Sequence, residues 1–229
     1  MTDFLFFDIE TRADESRLAL VDDLKPPKTV KDVAAWKAKK LQSAALDPDL
    51  ARVSSVSWSI GATGAISTLV ALPTEAPLEI LAGRDGFAPD HPVTLITGEV
   101  AEKELLYRFW AEFNQCDGYA CGWHIIGFDF PFLMRRSLYE KVGLLVRPKL
   151  AKYHTEPVRD LFAILNNWTP GKGLKEQCAL FGIPTMGATG VDVQGMSWQD
   201  EARYGADDVR LCQEMYKRMS AIYFSGDKY

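Results

Sequence analysis

Asp8-Ile9-Glu10-Thr11 places two acids one residue apart, directly after the apolar run Phe4 to Phe7. If that run is a strand, residues i and i+2 face the same side, so both carboxylates point at a common cation. Two buried like charges are costly unless a metal or a proton neutralises them. The plainer reading of the pair alone is an exposed strand end. Another acid, Asp129, sits in Gly122-Trp123-His124-Ile125-Ile126-Gly127-Phe128-Asp129-Phe130-Pro131, where a strand enters a glycine-containing turn and a helix begins. An acid at that point either caps the helix or joins a site. The last group is Tyr204-Gly205-Ala206-Asp207-Asp208-Val209. On a helix, Tyr204 and Asp208 share a face about 40° apart in projection, whereas Asp207 lies about 60° off on the other side. An amphipathic helix with surface acids would have the same spacing. Gly205 and Ala206 leave room for close packing or for a ligand. Pro170-Gly171-Lys172-Gly173 lacks the spacing of a triphosphate-binding loop, although Lys172 and Lys175 remain available to touch phosphate.

These groups need elements to hold them. Residues 4 to 8 read as a buried central strand whose last residue, Asp8, emerges at an edge or a site. Residues 52–60, 66–72, 93–97 and 119–123 supply further strands, five in all. Helical spacing runs over 99–115, with Leu105, Leu106, Phe109, Trp110 and Phe113 on one face. A helix over 127–142 accommodates Pro131 only in its first turn. Another covers 174–181, stopped by Gly182 and Pro184, and Ser197 caps a final helix running to about Ile222. Strands alternating with helices predict an α/β fold with a mixed five-stranded sheet flanked by helices. The whole chain, 1–229, reads as a single domain with an inserted basic helical segment at about 12–50. Within it, a helix over 31–45 carries Lys31, Lys37, Lys39 and Lys40, either as a solvated face or as a basic patch that guides a strand. Residues 184–196, with Gly187, Gly190 and Gly195, read as a loop.

Composition bounds the function. The chain has 229 residues and a formal charge of -5, against a protein that coats long stretches of nucleic acid but not against an enzyme that grips one strand end through metals. Four cysteines form no Cys-x-x-Cys pair and gather no histidines, which predicts buried thiols rather than a zinc site. No apolar stretch approaches the roughly 20 residues that span a bilayer, and the start lacks the features of a secretory signal. No membrane association and a cytoplasmic location are expected.

Taken together, Asp-x-Glu near the N-terminus, Phe-Asp-x-Pro at a strand-helix turn and Tyr-x-x-x-Asp on a C-terminal helix resemble the three exonuclease motifs of the DEDD superfamily, in its tyrosine variant. The chain is similar in particular to stand-alone relatives of the proofreading domain of family-B DNA polymerases. The resemblance spans residues 4 to 219 in the family's order and includes Leu174 to Pro184 (LKEQCALFGIP), like the family's Leu-helix-Gly-Ile-Pro feature.

The resemblance implies a ribonuclease-H-like fold and a 3'→5' exonuclease that hydrolyses single-stranded DNA from its 3' end to nucleoside 5'-monophosphates. It assigns two divalent cations, Mg²⁺ or Mn²⁺, to Asp8, Glu10, Asp129 and Asp208. Asp8 would bridge both ions, Glu10 and Asp208 would help hold one, and Asp129 would serve the other. Tyr204 would orient the attacking water. Thr11, His124 and Phe128 fall at substrate-contacting positions. His124 departs from the family, which usually has Asn there; a structural role and a place beside the terminal nucleotide both stay open. Phe128 stacks on a base or packs in the core. An exoribonuclease acting on short RNA, and a non-catalytic module that binds strand ends, are the alternatives. No polymerase domain is recognised in the sequence, and no polymerase or other replication partner is identified by it.

Overall fold

The computed structural model of the chain describes residues 3–21, 25–72, 91–185 and 193–224. Its centre is β1 (Leu5–Ala13), paired antiparallel along its whole length with β2 (Ala51–Ile60). β3 (Ser67–Leu72) adds antiparallel to β2, and β4 (Val93–Thr97) adds parallel to β3. On the other side of β1, β5 (Ala120–Gly122) and β6 (Val158–Asp160) continue the sheet in parallel. The order is β4-β3-β2-β1-β5-β6, a mixed sheet of six strands flanked by helices. The five expected strands are all present. The sixth, β6, is three residues long and held by pairing with β5 rather than by any pattern of its own.

A second correction matters more for the site. β1 does not end at Asp8 but runs nine residues, to Ala13. Its antiparallel partner is ten residues long and keeps it extended, with one register shift between Glu10 and Thr11. By contrast β5 pairs with β1 only at Leu5 and Phe6. Asp8 and Glu10 therefore lie inside β1 but beyond the end of its parallel neighbour, where one edge of the strand is open to other groups.

Helices cover both faces, and strand parity decides which residues meet which helix. Leu5, Phe7 and Ile9 join a core with α3 (Ala101–Gln115) and α4 (Asp129–Glu140), through Leu105, Phe109, Phe113, Phe130 and Leu133. Phe6 points the other way, into a core formed by α5 (Leu161–Leu165), α6 (Leu174–Leu180) and the long α7 (Trp198–Tyr223). Full burial of one such phenylalanine stabilises the fold by about 1.5–3 kcal/mol. Asp8 and Glu10 share the parity of Phe6, so the α7 face of the sheet receives them.

The predicted helices are found, with trimmed ends. The helix expected over 127–142 covers Asp129–Glu140, and Pro131 falls in its first turn, where a missing N–H costs nothing. Ser197 caps α7, its hydroxyl oxygen accepting from the Asp200 N–H at 3.1 Å. In the inserted segment, α1 (Glu15–Leu20) was not foreseen, and α2 (Val33–Ala44) is the expected basic helix. Lys37 of α2 pairs with Glu15 of α1 at 2.8 Å on the surface. Of the loop expected over 184–196, residues 186–192, including Gly187 and Gly190, lie outside the described residues. All four cysteines are free and buried. Among the described residues, no helix is long and apolar enough to cross a membrane.

Candidate metal centre

Asp8 and Glu10 project from β1 towards α7, which brings Asp208 to the same place. One carboxylate oxygen from each of the three lies within 4.8 Å of the others. Close approach of α7 depends on Gly205, since a Cβ there would stand 2.8 Å from the Ser57 hydroxyl, which is itself hydrogen-bonded to Thr68 at 2.8 Å. The small residue thus serves packing of helix on sheet, one turn before Asp208.

Asp129 lies beside this triplet and not within it. It is 3% exposed, and its Oδ1 accepts the Ile9 N–H at 3.2 Å. That N–H lies past the end of the β5 pairing, so Asp129 takes the place of the missing strand neighbour. The acid at the start of α4 accordingly has a backbone partner on β1 in addition to its nearness to the other carboxylates.

Electrostatics sets this group apart. Burial first, then the charges of Glu10, Asp208 and Asp129, push the Asp8 carboxyl well above its ordinary range. Burial, followed by Asp208 and Glu201, does the same to Glu10. Asp129 is pushed up to about 7, chiefly by burial, against the opposing hydrogen bond from Ile9. Asp208 rises to about 6, again mainly by burial, with Lys175 pulling it down. Four acids held where their charges repel one another are destabilising until a cation or protons arrive.

Lys175 supplies part of that positive charge. Its ammonium forms an ion pair with Asp208 Oδ1 at 3.1 Å. The same ammonium sits over the Tyr204 ring, 3.1 Å from its centroid. Burial raises the Tyr204 hydroxyl above its usual range, which keeps it protonated at neutral pH. The three converging donors are all oxygens, a set that fits a hard cation.

Asp207 is not a surface acid. It is buried, and Arg210 donates to its Oδ1 from Nε at 2.9 Å and from Nη2 at 2.7 Å. Glu201, nearly two turns back on α7, is buried against Arg12 of β1, whose Nε donates to it at 2.8 Å. This pair ties the start of α7 to the far end of β1.

The substrate-side positions are more dispersed. Thr11 is buried, and its hydroxyl donates to the Ala45 carbonyl at 2.6 Å. His124 is exposed, not a buried histidine, and its backbone is left-handed at φ 63°. Asn and His both tolerate that conformation better than most residues, which gives a backbone reason for either at this position. Its ring meets Phe162 edge-on at 4.8 Å and passes so close to Gly127 that a Cβ there would stand 2.5 Å from it. Phe128 is half-buried, packed on the α3–α4 core and against Phe132 at 5.5 Å.

Sequence reading missed the residue that shapes this turn. Asp160, buried at the end of β6, accepts the His124 N–H at 3.0 Å and the Ile126 N–H at 2.9 Å, and also caps α5 through the Ala163 N–H. An acid directly before the apolar run LFAIL was the available signal. Beside the turn opens a cavity of about 580 Å³ lined by His124, Lys152, Phe162 and Trp168, among others.

No protein-family model matches the chain, and no curated protein matches it.

Proposed function

We propose that this chain is a metal-dependent 3'→5' exonuclease of the DEDD type with a ribonuclease-H-like fold, releasing nucleoside 5'-monophosphates from single-stranded DNA. The observation that carries this reading is the meeting of Asp8, Glu10 and Asp208 within 4.8 Å, from a central strand and a helix far apart in sequence. Such donors hold Mg²⁺ or Mn²⁺, and two such ions would activate the attacking water and stabilise the leaving 3' oxygen. Asp8, Glu10 and Asp208 are the ligands. Asp129 completes the acid set from its place against Ile9. Tyr204, one turn before Asp208, keeps its proton and so can donate a hydrogen bond that orients the water. His124 and Phe128 flank the strand end, with the adjacent cavity accommodating its last bases. Thr11 is fixed by Ala45 and contributes from the β1 side.

A non-catalytic strand-end-binding module is the second reading, and Lys175 beside Asp208 is the observation that favours it, because an ammonium is already in the acidic site. One assay separates the readings. Purified protein is incubated with 5'-labelled single-stranded DNA, matched RNA and a circular single strand, in Mn²⁺ or in chelator. The proposal expects a descending ladder on linear DNA, only with Mn²⁺, and an intact circle. A ladder confined to RNA would move the substrate; internal cutting of the circle, or no product with any substrate, would overturn the exonuclease.

A further inference from the structure

Lys175 has an unusual position. It is the second residue of α6, and its side chain is 11% exposed, whereas the surface-paired Lys37 and Lys172 are 45% and 49% exposed. Lysines are seldom buried without a partner. This one faces two, the Asp208 carboxylate at 3.1 Å and the face of the Tyr204 ring. One ammonium cannot balance the acids gathered there. A hard divalent ion carries twice the charge and competes for the same oxygen, and the flexible four-carbon stem lets the head group leave while the stem stays packed.

We infer that Lys175 is a tethered counter-cation which occupies the acidic site when no divalent ion is bound, and which metal binding at Asp208 displaces. The inference rests on the metal-centre reading. It makes Lys175 a positioning residue: it holds Asp208 and the Tyr204 ring in place in the metal-free protein and sets the metal concentration at which the site loads. The ammonium meets Asp208 Oδ1, the oxygen that a metal ion at this site would compete for.

The test compares the full chain with Lys175→Met, which keeps the stem and removes the charge, and Lys175→Arg, which keeps the charge. Melting temperature is followed at pH 8 in EDTA and across a Mn²⁺ titration, without nucleic acid. Lys175→Met is expected to melt several degrees lower in EDTA, to reach half-saturation at about tenfold lower Mn²⁺ through loss of a competing charge, and to recover wild-type stability at saturation. Lys175→Arg is expected to stay close to wild type. An equal deficit of Lys175→Met with and without Mn²⁺ would show a merely structural lysine, and weaker Mn²⁺ binding would show a cooperating one; either overturns the inference while leaving the metal centre standing. No effect of Mn²⁺ on any variant would remove the metal centre and this inference with it. Should Lys175→Met not fold, the ammonium ¹⁵N signal of Lys175 in the wild-type protein, titrated with Mg²⁺, decides. A shift that saturates with the metal supports displacement, and an unchanged signal overturns it.

Discussion

The fold buries charge in two places, and the two are built differently. Under α3 and α4, Arg136 is 1% exposed and meets Glu102 through two hydrogen bonds, Nε to Oε1 at 2.8 Å and Nη2 to Oε2 at 2.7 Å. Glu102 also takes the Val53 N–H, and Arg136 reaches the Pro48 carbonyl, so helix, strand and loop are joined by a pair whose charges cancel. On the opposite face of the sheet, Asp8, Glu10 and Asp208 come together with Lys175 paired to Asp208 and with Asp129 beside them at the start of α4, and all four carboxyls are driven upward. A balanced buried pair needs nothing further. An acid cluster in excess of its cations destabilises the protein that carries it, and Asp8, Glu10 and Asp208 are placed so that they could hold a metal ion.

Substitutions can sharpen that contrast. The largest effect is expected on catalysis. Asp208→Asn removes a proposed metal ligand and is expected to lower Mn²⁺-dependent nuclease activity by about two or more orders of magnitude. Asp207→Asn, next to it, alters an acid committed to Arg210, and most of the activity is expected to remain. Equal losses in single-turnover assays of the two folded variants would place the ligand wrongly.

Stability is expected to move in opposite directions in the two regions. Arg136→Met strands a buried carboxylate and is expected to cost about 3–5 kcal/mol in urea unfolding, with no rescue by Mn²⁺. Asp8→Asn relieves repulsion and is expected to raise stability in EDTA. A destabilised Asp8→Asn would mean that the acid cluster is balanced in a way the contrast denies.

Smaller and graded is the response to pH. Asp129 and Asp208 have folded values of about 7 and about 6, above the ordinary carboxylate value of 3.8, and Asp8 and Glu10 are also raised. Groups raised on folding favour the folded state fully below about pH 4, and that contribution is lost as pH rises through the folded values. Metal-free protein is therefore expected to lose stability on the order of 4 kcal/mol between pH 5 and pH 8 from Asp129 and Asp208 together, and saturating Mn²⁺ is expected to flatten the slope. A metal-free melting temperature that rises over this range would contradict the assignment.

Much of this architecture was legible in the residues. Alternation and apolar runs marked five strands, and Ser197, Gly182 and Pro131 marked helix ends, because local chemistry dictates those features. β6 and α5 are too short to carry a period, and they exist because β5 and Asp160 hold them. The extension of β1 to Ala13 was hidden by its polar residues, Glu10, Thr11 and Arg12, and follows from the length of β2. In the site, spacing left each acid open to a plainer reading, and it was the resemblance to the exonuclease motifs that singled out Asp8, Glu10, Asp129, Tyr204 and Asp208. It could not show that Asp129 also serves Ile9, that Asp207 is buried with Arg210, or that Lys175 of α6 reaches Asp208, since each depends on how distant elements pack.

The central claim is that the acids of β1 and α7 form a divalent metal centre, and Mn²⁺ binding followed by electron paramagnetic resonance tests it most directly. The wild-type protein and Asp207→Asn are expected to bind Mn²⁺, with Asp8→Asn and Asp208→Asn losing most of that binding while remaining folded. Wild-type protein that binds no Mn²⁺, or Asp8→Asn and Asp208→Asn variants that bind it as the wild type does, would contradict the account.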